Sequence, residues 1–310
     1  MPAPNTFLFN PDSELLIIGI IYVVMTALIF PVYVLMIYTL HIRTELRENI
    51  SYQLINLLNY CELFQVICQF LTGTFLIFPM FTDHFDHFVR IVGCTANTLW
   101  LSTFVIMVIL AFTRIGIAYF NSKPTKWSPW QKIGLAIGSA YIFFVWLAGC
   151  ITQNFQLAGP TWSYDMTVEY ADVFARLELV FCFPALLISF SSYILIIWSI
   201  YKKKQQAHNA LSLRTEIGIL IQATVLTVYM AVAIMLWHNA ESWFQMTNIT
   251  LALLNGVWVL NSYVNSILLI SVNSGVRREI GKLVCRKKQS KGGSRIRVMS
   301  QVSSTILAGN

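Results

Sequence analysis

Two ionisable residues interrupt long apolar segments: Glu62 in "LLNYCELFQ" and Arg114 in "LAFTRIGIAYF". A charged side chain inside hydrocarbon is costly, so it normally faces the interior of a helix bundle and pairs with a polar group there. Glu62 lies about twelve residues into its segment, near mid-membrane, where a carboxyl group can hold a proton or a sodium ion. We expect its polar neighbours to come from Asn59, Asn261 and Asn265. The alternative is a protonated, hydrogen-bonded glutamic acid with a structural role.

Arg114 follows Cys94 by 20 residues. A helix rises 1.5 Å per residue, so the two residues are about 30 Å apart, which is the thickness of the hydrocarbon core. With Cys94 at one membrane boundary, Arg114 lies at the other, where its guanidinium can extend to the interface or pair with a nearby group. The residue is therefore either a membrane anchor or a switch.

Sequence patterns typical of catalysis or of a bound cofactor are missing from this chain. It has no HExxH, no GxGD and no paired intramembrane aspartates, and its six cysteines have no metal-ligand spacing. A retinal protein would need a lysine in its last span, but no lysine occurs between Lys204 and Lys282. The sequence predicts neither an enzyme, nor a cofactor, nor a metal site.

The elements that must position these residues are hydrophobic helices. Hydrophobic residues make up 56% of the chain and charged residues 11%, whereas a soluble domain has about 25% charged residues. Apolar runs long enough to cross a membrane recur along the chain, at about 15–40, 51–78, 92–119, 131–153, 173–200, 214–238 and 248–271. We therefore predict an all-α membrane protein, a seven-transmembrane helix bundle with a short amphipathic eighth helix.

The predicted organisation has four parts. They are an extracellular N-terminus (1–14), the seven-transmembrane bundle (15–273), the amphipathic helix 8 (274–288) and a disordered cytoplasmic tail (289–310). The loops after the odd-numbered spans and the tail hold 19 of the 21 Lys and Arg residues when Arg114, at the end of the third span, is counted with them. The two exceptions are Arg90 and Arg176. Because basic residues collect on the cytoplasmic side, we predict an outside N-terminus in the plasma membrane. In the eighth helix, basic residues beside apolar ones favour anionic lipid, and Cys285 at its end is a candidate for palmitoylation.

Several segments resemble, in the right order, those of rhodopsin-like seven-helix receptors. "LAFTRIGIAYF" is similar to the arginine motif that ends their third helix, and "NSILLISVNSGVRREI" to the end of their seventh and start of their eighth. "LLNYCELFQ" resembles their second helix with Glu62 in place of aspartate, and Pro184 matches the proline of their fifth. The details look most like the nematode serpentine chemoreceptors, class x or a relative. The chain departs from the pattern at Thr113, which replaces an acidic or amide residue, and at Ser266 and Leu269, which replace proline and tyrosine.

The resemblance implies a chemosensory receptor that couples to a heterotrimeric G protein, in sensory cilia or elsewhere in the plasma membrane. On activation a helix of a cytoplasmic protein would enter a cleft between the receptor helices, and Arg114 would form the bottom of that cleft. In the resting state Arg114 would contact Glu216. The residues implied in the switch and in G-protein coupling are Arg114, Thr113, Glu216, Lys202, Lys203, Lys204, Asn265 and Ser266.

Small-molecule ligands of such receptors bind between the outer halves of the helices. The candidates at those positions are polar or aromatic: Asn97, Trp100, Thr103, Glu178, Trp237, His238, Asn255 and Trp258. Cys94 and Cys150, near the outer ends of adjacent helices, are predicted either to form a disulfide or to remain small apolar residues. The alternative function is a seven-helix transporter or ligand-gated channel that uses Glu62 as its ion or proton site.

Overall fold

The computed structural model describes residues 7–120, 125–204 and 210–285. Within these ranges it leaves out the side chains of 45, 200–219, 274 and 283–285. Seven long helices are apolar enough to cross a membrane. They are α1 (Ser13–Ile42), α3 (Ile50–Ile77), α5 (Asp86–Phe120), α6 (Pro129–Thr152), α7 (Ala171–Lys204), α8 (Ala210–Trp243) and α9 (Asn248–Val272). The predicted seven-helix fold is confirmed.

Shorter elements connect or follow these helices. They are α2 (Thr44–Arg47), α4 (Pro79–His84), α10 (Ser274–Cys285) and the strands β1 (Phe155–Ala158) and β2 (Thr161–Tyr164). The α10 helix occupies most of the predicted helix 8, while 286–288 and the predicted tail lie outside the described residues. We call the end of the bundle that carries β1 and β2 the hairpin end, and the opposite end, next to α2 and α10, the basic end.

Local sequence signals explain where several helices begin. Asp12 and Thr247 accept hydrogen bonds from backbone N–H groups in the first turns of α1 and α9. Ser128 and Gln131 form a capping box at the start of α6, in which each side chain bonds the backbone of the other residue. Such caps satisfy N–H groups that have no partner inside the helix.

The helices differ in how much of their surface is buried. In the most apolar part of α3 and of α5, 56% of the residues are buried, whereas in α6 only 6% are. The α3 and α5 helices therefore form the centre of the bundle, and α6 packs at its edge. Residues of α6 that face away from the other helices, such as Phe144 and Ile151, are apolar and suited to contact lipid.

The strands β1 and β2 form an antiparallel hairpin that the sequence analysis did not predict. Phe155 pairs with Tyr164 and Ala158 with Thr161, which leaves a two-residue loop. The first loop residue, Gly159, has a φ of 61°, in a backbone region that favours glycine.

The predicted disulfide between Cys94 and Cys150 is not formed, because both residues are free thiols in the structure. The Cys94 sulfur is buried, 4.0 Å from Oδ1 of Asn154, the residue just before the hairpin. It packs against the backbone of Gly149 on α6. Cys94 therefore fills space as a small apolar side chain, the alternative left open from the sequence.

Candidate functional site

A row of hydrogen bonds joins α3 to α9 through the middle of the bundle. We call it the polar ladder, and its members are Glu62, Gln65 and Gln69 on α3 and Asn255, Trp258, Asn261 and Ser262 on α9. The Asn255 amide donates to Oε1 of Gln69 (3.1 Å), and the Trp258 indole donates to Oε1 of Gln65 (2.8 Å). The three α3 positions are three or four residues apart, so they share one face of that helix. The ladder fixes the register of the two helices.

Glu62 accepts two short bonds of the ladder, one of which is the shortest. Its Oε1 accepts from the Asn261 amide at 2.8 Å and its Oε2 from the Ser262 hydroxyl at 2.6 Å. The side chain is fully buried. The Tyr33 hydroxyl of α1 donates to the carbonyl oxygen of Ser262 (2.7 Å). One buried carboxyl group therefore organises the contact between α3 and α9, and α1 joins at the same level.

The other polar residues that the sequence pointed to near this level have different contacts. The side-chain amide of Asn59 is buried but forms no hydrogen bond with the described residues. Oδ1 of Asn265 accepts from Gln222 on α8 at 3.3 Å. The Ser266 hydroxyl donates to the backbone of its own helix. Of the three amides expected around Glu62, Asn261 is thus the one that hydrogen-bonds it.

The hairpin inserts its side chains into the bundle. Trp162 is fully buried, donates from its indole to the Thr72 hydroxyl of α3 (2.9 Å), and stacks on Phe155 with an interplanar angle of 11°. Gly93 of α5 makes room for it, because a Cβ at that position would lie 2.5 Å from Cζ3 of Trp162. The Tyr22 hydroxyl of α1 donates to the carbonyl oxygen of Pro160 in the hairpin loop (3.1 Å). The hairpin therefore caps the bundle.

A charged contact ties the base of the hairpin to α5. Arg90 donates to Oδ2 of Asp165 at 2.9 Å and to the carbonyl oxygen of Gln153 at 2.8 Å. Asp165 also accepts from the Thr167 hydroxyl and, through its backbone N–H, donates to the carbonyl oxygen of Asn154. The hydrogen bonds from Thr167 and Arg90 hold the pKa of the Asp165 carboxyl below its usual value.

A small cavity of about 30 Å³ lies beneath the hairpin. A buried water needs about 10–15 Å³, so this space suits a few atoms unless neighbouring side chains move. Four aromatic side chains line the wall, Trp100, Trp237, Trp258 and Phe155, together with aliphatic residues of α8 and α9. The ring centres of Trp100 and Trp237 lie 6.0 and 5.8 Å from that of Trp258.

Glu178 of α7 brings a carboxyl group to this aromatic cavity. It is buried, and its Oε2 accepts from the Tyr164 hydroxyl of the hairpin at 2.6 Å. The Tyr164 oxygen in turn accepts from the Asn97 amide of α5 at 2.8 Å. These two hydrogen bonds connect α5, the hairpin and α7, and they hold the Glu178 carboxyl group at the cavity wall. His238 of α8 also lines the cavity.

Comparison with known proteins identifies the class of molecule that uses this architecture. The family model described as "Serpentine type 7TM GPCR chemoreceptor Srt" matches residues 6–292. The chain belongs to the Srt family of serpentine chemoreceptors. The crystal structure of squid rhodopsin is similar in fold, with a TM-score of 0.63 and 16% sequence identity over 93% of this chain and 90% of rhodopsin. No curated protein sequence matches the chain significantly.

The match confirms the serpentine chemoreceptor prediction, and the matching model is that of Srt and not of class x. Srt is a family of receptors and not of enzymes. Seven spanning helices make this Srt chain a multi-pass membrane protein.

Six of the eight predicted ligand residues of the Srt chain line the cavity: Asn97, Trp100, Glu178, Trp237, His238 and Trp258. The other two lie elsewhere, since Asn255 bonds Gln69 and the Thr103 hydroxyl donates to the Leu99 carbonyl of its own helix. Phe155 was missed because it arrives on the hairpin.

At the basic end, Arg114 is buried beside α7, close enough to the Tyr193 hydroxyl to interact with it electrostatically. The Thr113 hydroxyl donates to the Ile109 carbonyl (2.7 Å) and accepts from the Gln131 amide of α6 (2.9 Å). Thr113 therefore joins α5 to the capping box of α6. The side chains of Lys202, Lys203, Lys204, Glu216 and Cys285 lie outside the described residues.

The α10 helix of the Srt chain packs onto the basic end. Val276 is fully buried in the core. Glu279, which the sequence analysis passed over, forms ion pairs with Lys282 (3.0 Å) and with Arg43 at the end of α1. Hydrogen bonds from Lys282 and Arg43 lower the pKa of the Glu279 carboxyl. The Asn273 amide donates to the Tyr52 hydroxyl of α3 at 2.8 Å.

A larger groove of about 670 Å³ lies between α5, α6 and α7. It opens on the outside of the bundle, because exposed side chains such as Trp130, Ile137 and Val180 line it. Its walls are mainly apolar, so lipid chains suit it. The buried, carboxyl-bearing cavity under the hairpin is the better candidate for selective recognition.

Proposed function

We propose that this Srt chain binds a small-molecule ligand in the cavity under the hairpin and signals through a heterotrimeric G protein at the basic end. The observation that supports it is the convergence of Glu178, Asn97 and three tryptophans on one buried cavity. Aromatic walls with a few fixed polar groups are typical of small-molecule sites. Membership of a chemoreceptor family points the same way.

The polar ladder offers a physical route from ligand to signal. Trp258 lines the cavity and also donates to Gln65, one turn of α3 away from Glu62. A ligand that displaces the Trp258 ring would alter the ladder and with it the contact between α3 and α9. Such a ligand shifts the receptor between two states only by its difference in affinity for them.

At the basic end, Arg114 would act as the switch. We propose that it contacts Glu216 at rest and forms part of the floor on which a G protein docks. Lys202, Lys203 and Lys204 would line the adjacent loop. Asn265 and Ser266 would adjust as α9 moves.

The proposed location is the plasma membrane, including that of sensory cilia, with the hairpin end outside. The excess of Lys and Arg in the loops and tail at the basic end supports this orientation, because basic residues stay on the cytoplasmic side. Palmitoylation of Cys285 would add a second attachment beside the basic face of α10.

The test is a G-protein activation assay in a heterologous cell exposed to small volatile and water-soluble odorants. The native chain is compared with Arg114→Ala and with Arg278→Ala, a matched control whose side chain is 71% exposed on α10. We expect a ligand response that Arg114→Ala abolishes and Arg278→Ala keeps, at equal surface expression. A response that survives Arg114→Ala would reduce Arg114 to a membrane anchor.

A second candidate function uses the buried carboxyl of Glu62 as an ion or proton site in a transporter or channel. Glu62 lines neither the cavity under the hairpin nor the groove between α5, α6 and α7. A current gated by an odorant, without any G-protein activation, would favour this function over the receptor.

A further inference from the structure

We infer that the cavity under the hairpin selects a small organic cation, and that Glu178 supplies the counter-charge. This inference rests on the proposed ligand site and adds the chemical class of the ligand. It follows from three observations, which are the burial of the carboxyl group, the lack of a described cationic partner, and the aromatic wall around it.

Burial makes the charge of Glu178 costly. The side chain is 8% exposed, the Tyr164 hydroxyl donates to it at 2.6 Å, and the Asn97 amide is a second polar neighbour. Both of these groups are neutral, and neutral donors offset only part of the cost of removing a carboxylate from water. A positively charged partner would stabilise it strongly.

The described part of the chain does not supply that partner. Of the described cationic side chains, none lies within 4.0 Å of the Glu178 carboxylate. The nearby arginines are engaged elsewhere, since Arg90 pairs with Asp165 and Arg176 with Asp172. His238 lines the same cavity without reaching that distance.

The wall of the cavity suits a cation better than an anion or a strongly hydrated polar molecule. Three indole rings surround the space, and indole has the strongest attraction for cations among the aromatic side chains. The Trp237 ring packs against that of Trp258 at an interplanar angle of 85°. The indole of Trp258 is held by Gln65, so it does not need to be ordered when a ligand binds.

The ligand is also limited in size. A space of about 30 Å³ beside the carboxyl group holds a compact head group, and any longer part must displace a side chain or point toward the hairpin. A protonated primary amine with a short tail meets these conditions, whereas a quaternary ammonium fits only when a neighbouring side chain moves.

The experiment measures the unfolding temperature of the purified full-length chain in lipid nanodiscs with two matched pairs of probes. The first pair is isobutylamine and 2-methylpropan-1-ol, and the second is choline and 3,3-dimethylbutan-1-ol. The members of a pair have similar shapes and differ in charge. A ligand that binds the folded state raises the unfolding temperature, and the rise grows with the logarithm of the ligand concentration above its Kd.

We expect at least one cation to stabilise the native chain and its neutral partner to do so at much higher concentration. Glu178→Gln should weaken cation binding roughly ten- to a hundredfold, as expected for the loss of a charged contact in a buried site. Glu241→Gln is the matched control, because Glu241 is exposed near the end of α8. If Glu178→Gln does not fold, Trp237→Leu tests the aromatic wall and should weaken the cations more than the alcohols.

Three results would overturn the inference: stabilisation by the neutral partners equal to that by the cations, unchanged cation binding in Glu178→Gln, or no stabilisation by either cation. The proposed function is tested separately by G-protein activation. G-protein activation by neutral odorants alone would support the proposed receptor function and contradict the inference that the ligand is a cation. Cation binding that depends on Glu178, without any effect on a G protein, would support the inference about the ligand and contradict the proposed signalling role.

Discussion

The two buried carboxyl groups of this receptor, Glu62 and Glu178, differ in how completely their neighbours satisfy them. Both oxygens of Glu62 accept short bonds from adjacent residues of α9. Glu178 accepts one short bond, from the hairpin residue Tyr164, has the Asn97 amide as a second neutral neighbour, and borders a cavity. A fully bonded buried carboxyl holds helices together, whereas a partly bonded one beside a cavity retains capacity for a ligand. Burial alone therefore does not distinguish a structural acid from a recognition site; the remaining hydrogen-bonding capacity does.

The largest effect is expected from disturbing the hairpin that supports Glu178. Gly93→Ala places a methyl group 2.5 Å from the buried Trp162 ring, and such overpacking typically costs 1–3 kcal/mol. Gly256→Ala is the matched control, because it lies inside α9 with no atom within 4 Å of the added Cβ. Thermal unfolding of both variants should show Gly93→Ala less stable by about 2 kcal/mol. Equal stabilities would mean that Trp162 moves aside without cost.

Removing Glu62, the other carboxyl group of the comparison, should have an effect of similar size. Glu62→Ala leaves the Asn261 and Ser262 donors without their acceptor and creates a void, which should cost about 2 kcal/mol. Glu62→Gln keeps an acceptor oxygen and nearly the same volume, so it should lose less than half as much. Denaturation of the two variants in one detergent checks this order. A Gln variant as unstable as the Ala variant would show that the charge itself stabilises the bundle.

A smaller effect is expected where the hairpin meets Glu178. Tyr164→Phe removes one donor to the carboxyl and one acceptor of the Asn97 amide, a loss of about 1 kcal/mol. Tyr170→Phe serves as the control, since Tyr170 is exposed beyond the hairpin. Unfolding midpoints of the two variants give the comparison. If the two variants unfold alike, the Tyr164 hydroxyl adds nothing to stability.

The smallest effect is a pH dependence at the base of the hairpin. The Asp165 pKa is lowered by Thr167 and Arg90 in the folded chain, so its stabilising contribution is present above the unfolded value of about 3.9 and is lost as the pH falls through the lowered value. We expect less than about 1 kcal/mol, because part of this charged contact is solvated. Asp165→Asn should flatten the fall in unfolding temperature between about pH 5 and pH 3, and Asp172→Asn, on α7, should not. A native-like slope in Asp165→Asn would place the acid sensitivity elsewhere.

The sequence predicted the helices well because each is set by local composition. Twenty apolar residues in a row identify a span wherever it lies in the fold, and basic residues between spans order the loops. The place of Glu62 in mid-span followed from the same counting, whereas Asn261 was only one of three amides expected near it. Gln65 and Gln69 carried a usable signal that was not used, because polar residues three and four apart in an apolar helix mark an inward face.

The hairpin could have been predicted only in part. "NFQLAGPTWSY" has two short segments with aromatic residues around Gly159 and Pro160, a pattern typical of a tight hairpin. Its insertion over α5 could not be predicted, because the gap at Gly93 and the donor to Thr72 become neighbours only after the helices assemble. For the same reason the sequence predicted Glu178 and Asn97 as ligand residues but not Tyr164, whose hydroxyl hydrogen-bonds both of them.

The hairpin is held on the bundle by noncovalent contacts, so the rate at which it could open is set by how fast those contacts break. Stacking of Trp162, the Arg90 contact and the Pro160 bond each break and re-form as ordinary local fluctuations, within microseconds to seconds, whereas thiol exchange takes minutes to hours. A ligand that entered past the hairpin would therefore depend on local opening and not on thiol exchange. The same contacts are indifferent to reducing agents, so the cap closes equally well in an oxidising or a reducing compartment.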